Sequence, residues 1–580
     1  MFSDISNVNI VTSLLVAHNV RHVVVCPGSR NAPLVHDFHV HEKIKCYPIT
    51  DERSAGFFAL GMAQALEEPV AVCVTSGSAV LNLAPAVAEA AYQHVMVVVV
   101  SADRPMQWIG QLDGQTLPQT DVFGRLVNKA VSLPSAISNE EQRWLCNRLV
   151  NEALLATAFP KQGPVHINVP IEEPLFRFSV KHLPNERIIR RTAEYDDRCM
   201  SMVARWLLEA SRPMVVVGQI SGGKHGDCDA LCRKGIDLMA SIGVLIAEKL
   251  CRLPIPLSLV DEALTLVGDD ANYAPDLIVF LGGNVVSKKL KAFMRKAVKA
   301  KVVMINMDGD VNDVSMHATD VVVGKPVNLF RALAVMQETM IVPESGEAIH
   351  IPEKKQRPFH QRWRRVLDFI GNFADEYVPQ FSQMAAVKYF EQQLEDMEYD
   401  FHVHYANSMA IRLANIYAGH HVMCNRGVNG IEGSLSTAAG FSVVAEGMTF
   451  CVVGDLSFFY DQNALWNVCL NGKFRIVLLN NGGGAIFKLL NGLESSEARD
   501  ELVSGAHKVE ARGICEQNDV GYIRAANMEE MEIGMVTLVT EQTNRPMLLE
   551  IVTDAETDAS TIKNFINQLK ELWQRENGKK

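Results

Sequence analysis

The sequence lacks a C-x-x-C pair, a stretch of apolar residues long enough to cross a bilayer, and an excess of positive charge. Each absence removes a class of protein. Its twelve cysteines are scattered, and the closest, Cys228 and Cys232, sit in a hydrophilic stretch without partner histidines. That spacing excludes a zinc ribbon or a disulfide scaffold and fits reduced thiols. The longest apolar block, 95–100, is far short of a membrane span. The opening MFSDISNVNI carries no basic segment followed by an apolar run, so the expectation is a cytoplasmic chain that is neither exported nor inserted in a membrane. A formal charge of −12 argues against a nucleic-acid or anionic-membrane surface as main partner. Proline is sparse at 23 residues, and 48% hydrophobic with 21% charged residues describes an ordinary globular protein.

At 580 residues the chain exceeds one hydrophobic core, and three domains are expected. Short β-branched runs at 21–26, 70–75 and 95–101 alternate with helical patterns at 55–66 and 79–92. Near-continuous apolar strands of this kind suit parallel sheets covered on both faces, so the fold class is α/β. A second series of strands is read at 214–217, 244–247, 277–281 and 302–305, and a third at 450–453, 476–479 and 547–551, closing on a helix near 560–575. Charged, proline-bearing stretches at 183–198 and 342–358 read as linkers, giving domains at 1–185, 190–345 and 355–580. The segments 163–170 and 545–551 echo each other faintly, which suggests two related domains flanking a third.

Two polar tips stand out in the third series. V-V-G-D-L-S at 452–457 is followed by an expected helical stretch at 460–470 and then by V-L-L-N-N-G-G-G at 477–484. From Asp455 to Asn481 is about 26 residues, what a strand, a helix and a returning strand require, so both tips land at one sheet edge. Asp455 offers a carboxylate, Asn481 an amide oxygen and Gly483 a backbone carbonyl, an oxygen set suited to Mg²⁺ or Mn²⁺. The glycines allow backbone N–H groups close to a diphosphate. The arrangement resembles the G-D-x…N-N motif of thiamin-diphosphate enzymes, with Leu456 where many carry a second glycine. Such enzymes need a carboxylic acid on the cofactor's aminopyrimidine, and Glu52, in T-D-E-R-S-A-G, is the candidate. Buried against apolar neighbours, it would have a raised pKa and exchange a proton with the ring. Its alternative role is a helix N-terminal residue facing the dipole.

Basic residues recur beside Gly, Ser or Pro: Arg30 in C-P-G-S-R, Arg104 in S-A-D-R-P, Lys288 and Lys289 in N-V-V-S-K-K, Arg412 in N-S-M-A-I-R and Arg426 in N-R-G-V-N-G. Such a set suits substrates with several carboxylates, since arginine recognises them bidentately. Taken singly, each reads first as a surface or structural ion pair, and Arg104 has Asp103 beside it.

Together with N-R-G-x-x-G-I-E-G-S-L-S-T-A-A-G and N-N-G-G-G-A-I-F, these motifs closely resemble the 2-succinyl-5-enolpyruvyl-6-hydroxy-3-cyclohexene-1-carboxylate synthase family (MenD), over about 16–554. The resemblance implies thiamin diphosphate with Mg²⁺ or Mn²⁺, decarboxylation of 2-oxoglutarate and 1,4-addition of the succinyl unit to isochorismate in menaquinone biosynthesis. By motif match, Ile431 supports the bent cofactor, while Gly454, Leu456, Ser457, Asn481, Gly483 and Gly484 line its diphosphate. Ser408 and Arg412 would hold 2-oxoglutarate. Ser29, Arg30, Arg104, Gln115 and Lys288 would face isochorismate, with Ile486, Phe487 and Leu490 as an apolar wall. The layout implies a homodimer with inter-chain sites, pairing into a dimer of dimers. Lys289 stands where the family has arginine, and Gly482 and Ala485 replace polar residues of the diphosphate loop.

Two other readings exist. A pyruvate decarboxylase or acetohydroxyacid-synthase-like enzyme would share Glu52 and the metal pair but needs no convergent cations. A non-catalytic regulatory subunit would be expected to lack one or the other. The His36, His39, His41 cluster reads as a polar loop rather than two imidazoles on one strand face holding a transition metal.

Overall fold

The computed structural model describes residues 1–158, 161–190, 198–220, 228–255, 258–339, 358–490 and 492–577. Three parallel sheets carry the chain. The first holds β1 (His22–Val25), β2 (Lys45–Pro48), β3 (Val70–Val74), β4 (Val97–Asp103), β5 (Lys129–Ser132) and β6 (Val165–Pro170), in the order β2-β1-β3-β4-β6-β5. Its central strands β3, β4 and β6 are buried along their whole length, as expected of strands covered on both faces. The second holds β7 (Pro213–Val217), β8 (Val244–Ala247), β9 (Leu277–Leu281), β10 (Lys301–Asn306) and β11 (Asp320–Val323), in the order β11-β10-β9-β7-β8. The third holds β12 (Phe401–Tyr405), β13 (Met448–Gly454), β14 (Phe474–Asn480), β15 (Gly521–Ala525) and β16 (Met547–Val552), in the order β12-β13-β14-β16-β15.

Without its edge strand β2, the first sheet has the same connectivity as the third, and β6 and β16 occupy equivalent places. The faint echo between 163–170 and 545–551 therefore has a topological basis. Two cores tie the sheets together. One joins Val72 and Phe58 of the first domain to Leu435, Val453 and Leu478 of the third; the other joins Met214 and Phe280 of the second to Val403 and Leu549 of the third.

The first and third domains meet where helix Glu52–Leu66 crosses helix Ser434–Val444. A Cβ on Gly61 would lie 1.9 Å from the Thr437 carbonyl oxygen, and one on Gly440 would lie 2.1 Å from that of Phe58. Backbone packs directly on backbone at this crossing, which only glycine permits. Ser54 Oγ and Ser436 Oγ are 2.8 Å apart across it, and buried Asp461 accepts from Ser436 N and Oγ.

Several expectations need correction. The helix expected at 79–92 is two, Ser78–Asn82 and Ala84–Gln93, because Pro85 restarts it in its first turn. The stretch 460–470 is not a helix. The helix is Asp455–Tyr460, followed by one short turn at Gln462–Ala464. Asn467 Nδ2 donates to Ala464 O, a side-chain bond that competes with helical pairing. The final helix starts earlier than expected, at Ala555. Of the expected linkers, 183–190 carries no regular secondary structure, with Ile189 N donating to Asn151 Oδ1, while 191–197 and 342–357 lie outside the described residues. The histidine cluster lies on helix Ala32–Val40 and its end rather than on a polar loop, and His36 packs on Phe178 with ring centroids 3.9 Å apart. Among the described residues no group of three His, Cys, Asp or Glu is placed to hold a metal.

Candidate active site

Strands β13 and β14 pair in parallel register with Gly454 opposite Leu479, so Asp455 and Asn481 leave the carboxyl edge side by side. Asp455 is buried. Its Oδ1 accepts from Leu456 N (2.7 Å), and its Oδ2 accepts from Gly483 N (2.9 Å) and Asn481 N (3.2 Å). His507 Nε2 stands 3.4 Å from the same Oδ2. Burial pushes the Asp455 pKa up, opposed by these N–H groups and by His507. Asn481 donates from Nδ2 to Asp558 Oδ2 (2.7 Å), and its Oδ1 is buried without a hydrogen-bond partner.

The glycine loop follows. Gly482 (φ +76°) and Gly483 (φ +154°) adopt backbone conformations that a side chain would strain. The segment 504–507 clamps the loop, with Gly484 N donating to Ser504 O (2.7 Å) and His507 N to Gly482 O (2.9 Å). The Gly483 carbonyl accepts from Ala485 N at 3.2 Å and keeps a second lone pair. A carboxylate, an unsatisfied amide oxygen and a glycine carbonyl at one sheet edge fit a hard divalent cation beside a diphosphate.

Ser457 Oγ donates to Ile431 O (2.5 Å), placing Ile431 beside the G-D-L-S tip. The loop before Ile431 is tied to the one after β12. Asn407 Nδ2 donates to Asn425 O (2.6 Å) and Gly430 O (2.7 Å), and Arg426 Nη1 donates to Asn407 Oδ1 (3.0 Å). Ser408 sits next to Asn407 at φ +74°, a strained conformation for serine of the kind that clusters at ligand sites. Arg412 lies on helix Met409–Tyr417 rather than in a loop. With Lys289 and Leu489 it lines a cavity of ≈ 230 Å³, where Glu248 and Glu262 also stand. Burial raises both glutamates to about 7. Lys288 and Lys289 open helix Lys288–Lys296, where positive charge opposes the helix dipole. Lys289 Nζ donates to Asp261 O (3.3 Å) and to the Thr265 hydroxyl. Ile486 and Phe487 are half-buried and Leu490 is exposed.

In the first domain Glu52 follows β2 and opens helix Glu52–Leu66, with Asp51 capping it by accepting from Ser54 N. Glu52 is only half-buried, and its Oε2 accepts from Asn82 Nδ2 (3.1 Å). One chain alone therefore does not supply the apolar enclosure expected around this carboxyl. Its neighbours meet the far end of helix Asp455–Tyr460: Arg53 donates to Tyr460 O (2.8 Å) and Asp51 Oδ2 accepts from Asn463 Nδ2 (2.7 Å). Arg30 is buried and donates to Ile171 O and Glu173 Oε1, both at 3.1 Å, beside exposed Ser29. Arg104 lies 3.8 Å from Asp113, and the backbone of Gln115 packs on Gly77. Ser29, Arg30 and Arg104 share the carboxyl edge of the first sheet with Glu52, whereas Lys289 and Arg412 share the cavity of ≈ 230 Å³. Within one chain the cations form two groups. His507 and Asp558 lie in stretches with no motif, and only the fold brings them against Asp455 and Asn481.

Residues 7–155 match the family described as thiamine pyrophosphate enzyme, N-terminal TPP binding domain. The chain is 40% identical to 2-succinyl-5-enolpyruvyl-6-hydroxy-3-cyclohexene-1-carboxylate synthase of Bacteroides thetaiotaomicron, across 98% of this chain and 100% of the relative. It is 33% identical to the enzymes of the same name from Porphyromonas gingivalis, over 98% of both chains, and Flavobacterium psychrophilum, over 95% and 96%. Identity of this extent over nearly the whole of each chain shows that the chain belongs to the 2-succinyl-5-enolpyruvyl-6-hydroxy-3-cyclohexene-1-carboxylate synthase family of thiamin-diphosphate enzymes.

Proposed function

We propose that this chain decarboxylates 2-oxoglutarate and adds the succinyl unit to isochorismate, as a synthase of menaquinone biosynthesis. The observation that carries the reading is the buried Asp455 carboxylate next to the unpartnered Asn481 Oδ1 over a glycine loop. Asp455, Asn481 and Gly483 hold Mg²⁺ or Mn²⁺, and Gly454, Leu456, Ser457 and Gly484 line the diphosphate. Ile431 would support the bound cofactor. When bound, thiamin diphosphate supplies the electron sink that lets a 2-oxo acid lose CO₂. Glu52 holds a proton at the aminopyrimidine nitrogen. Ser408 and Arg412 orient 2-oxoglutarate, with Lys289 and Arg426 nearby. Ser29, Arg30, Arg104, Gln115 and Lys288 receive isochorismate against Ile486, Phe487 and Leu490.

The same reading assigns domains to 1–185, 190–345 and 355–580, around the three sheets. It also requires a second copy, so that Glu52 of one chain meets the metal edge of the other, with dimers pairing into tetramers. Exposed apolar side chains beside the motifs, among them Leu81, Val428, Ile431 and Trp466, support such a covering surface. No described helix is long and apolar enough to cross a membrane, and the proposed location is the cytoplasm.

The test is ¹⁴CO₂ release from 1-labelled 2-oxoglutarate with thiamin diphosphate and Mg²⁺. The proposal predicts slow release that rises with isochorismate. Release from pyruvate instead would assign a pyruvate decarboxylase, and release from neither would assign a binding subunit.

A further inference from the structure

Asn481 has two ends of nearly equal shape and opposite chemistry. Its oxygen attracts a cation, whereas its NH₂ group repels one. The usefulness of Asn481 as a ligand therefore depends on which end faces the metal edge. Asp558, on helix Ala555–Asn577, faces the NH₂ end. It is 3% exposed and is held by three donors: Asn481 Nδ2 (2.7 Å) and Thr553 Oγ1 (2.8 Å) on Oδ2, and Gln383 N (2.8 Å) on Oδ1. An ionised carboxylate only accepts, so it pairs with the NH₂ end of Asn481 and rejects the oxygen end. The oxygen end is the buried atom without a partner.

We propose that Asp558 is a positioning residue that locks the amide of Asn481 with Oδ1 facing the divalent cation. The inference rests on the cofactor reading above. Asp558 acts only through Asn481 and is not itself a ligand. An uncharged amide side chain in its place would bring its own NH₂ either against that of Asn481, turning the ligand over, or against the Gln383 N–H.

The experiment measures Mn²⁺ affinity at saturating thiamin diphosphate from the EPR signal of free Mn²⁺, beside the melting temperature of metal-free protein. Asp558→Asn is expected to weaken Mn²⁺ binding about 10- to 100-fold while the metal-free melting temperature stays near that of the parent. The exchanged pair, Asp558→Asn with Asn481→Asp, restores a complementary hydrogen bond: the amide now on the helix donates, and the carboxylate now on the loop accepts while keeping an oxygen toward the ion. It is expected to recover most of the affinity that the single variant loses. This pair remains informative should the single variant fold poorly. Unchanged affinity in Asp558→Asn, or an exchanged pair that folds yet binds no better than the single variant, would overturn the proposal. A parent protein that takes up no Mn²⁺ with thiamin diphosphate would overturn the cofactor reading and the inference with it.

Discussion

Asp455 does two jobs through one carboxylate: it collects the N–H groups of Leu456, Asn481 and Gly483, and it presents a negative charge at the sheet edge. Asp455→Asn brings an NH₂ group against those donors and removes the charge. Its divalent-cation affinity is expected to fall by at least about 100-fold, read by Mn²⁺ titration with thiamin diphosphate present. Glu52 calls for a different signature. Glu52→Gln keeps the shape and loses the exchangeable proton, so CO₂ release from 2-oxoglutarate should drop about 10²- to 10⁴-fold with cofactor affinity nearly unchanged. A matching loss of cofactor affinity would make Glu52 a structural residue. Asp455 stands out in the sequence because Gly454 ends an apolar run before it, whereas Glu52 has no glycine beside it and is singled out by the chemistry that the resemblance implies. Asp558 and His507 are not legible there, because an ordinary acid or imidazole gains its role only when folding brings it against Asn481 or Asp455.

At the level of elements, β6 was read only through the echo between 163–170 and 545–551, and the other strands that apolar runs missed share one property. β2, β5, β11, β12 and β15 all lie at sheet edges. An edge strand is partly solvated, so its apolar run is interrupted, and of the four residues of β2 only Tyr47 is buried where β3 is buried throughout. The glycine crossing between helices Glu52–Leu66 and Ser434–Val444 was equally invisible, since helical spacing does not reveal which face meets another backbone. There Gly61→Ala should destabilise the protein by about 2 kcal/mol in spite of alanine's better helix propensity, because the added methyl meets the Thr437 carbonyl. Thermal melting checks this, and a variant as stable as the parent would contradict the crossing. Asp461 beneath the crossing gives a pH dependence. Burial raises its pKa from 3.8 to about 6, against the Ser436 hydrogen bonds and Arg53, with Asp51 reinforcing the rise. Between those values the folded state keeps a proton that the unfolded state releases. Its contribution is therefore fully present below pH 4 and lost as pH rises through about 6, amounting to at most about 3 kcal/mol. Asp461→Asn should remove that slope from a stability profile between pH 4 and 7; an unchanged slope would assign it to other groups.

For the whole molecule, the third domain is the hub, sharing one core with the first domain and another with the second. Three α/β units and the repeat between the outer two could be read from apolar runs and from the echo between 163–170 and 545–551. How the units meet could not, because the contacts are glycine crossings and cross-domain hydrogen bonds such as those from Gly427 N and Val428 N to Glu89, 2.7 Å each. In one chain the Glu52 segment touches the end of helix Asp455–Tyr460, away from the metal edge, and the cations fall into two groups. The proposed completion by a second copy would reconcile both features with a single reaction. The most direct measurement mixes Glu52→Gln and Asp455→Asn proteins, each inactive alone, under conditions that exchange subunits, and follows ¹⁴CO₂ release from 2-oxoglutarate with isochorismate. A mixed dimer then holds one site with both native residues, and about a quarter of the parent activity should return. No recovery after verified exchange would contradict a site built from Glu52 of one chain and Asp455 of another.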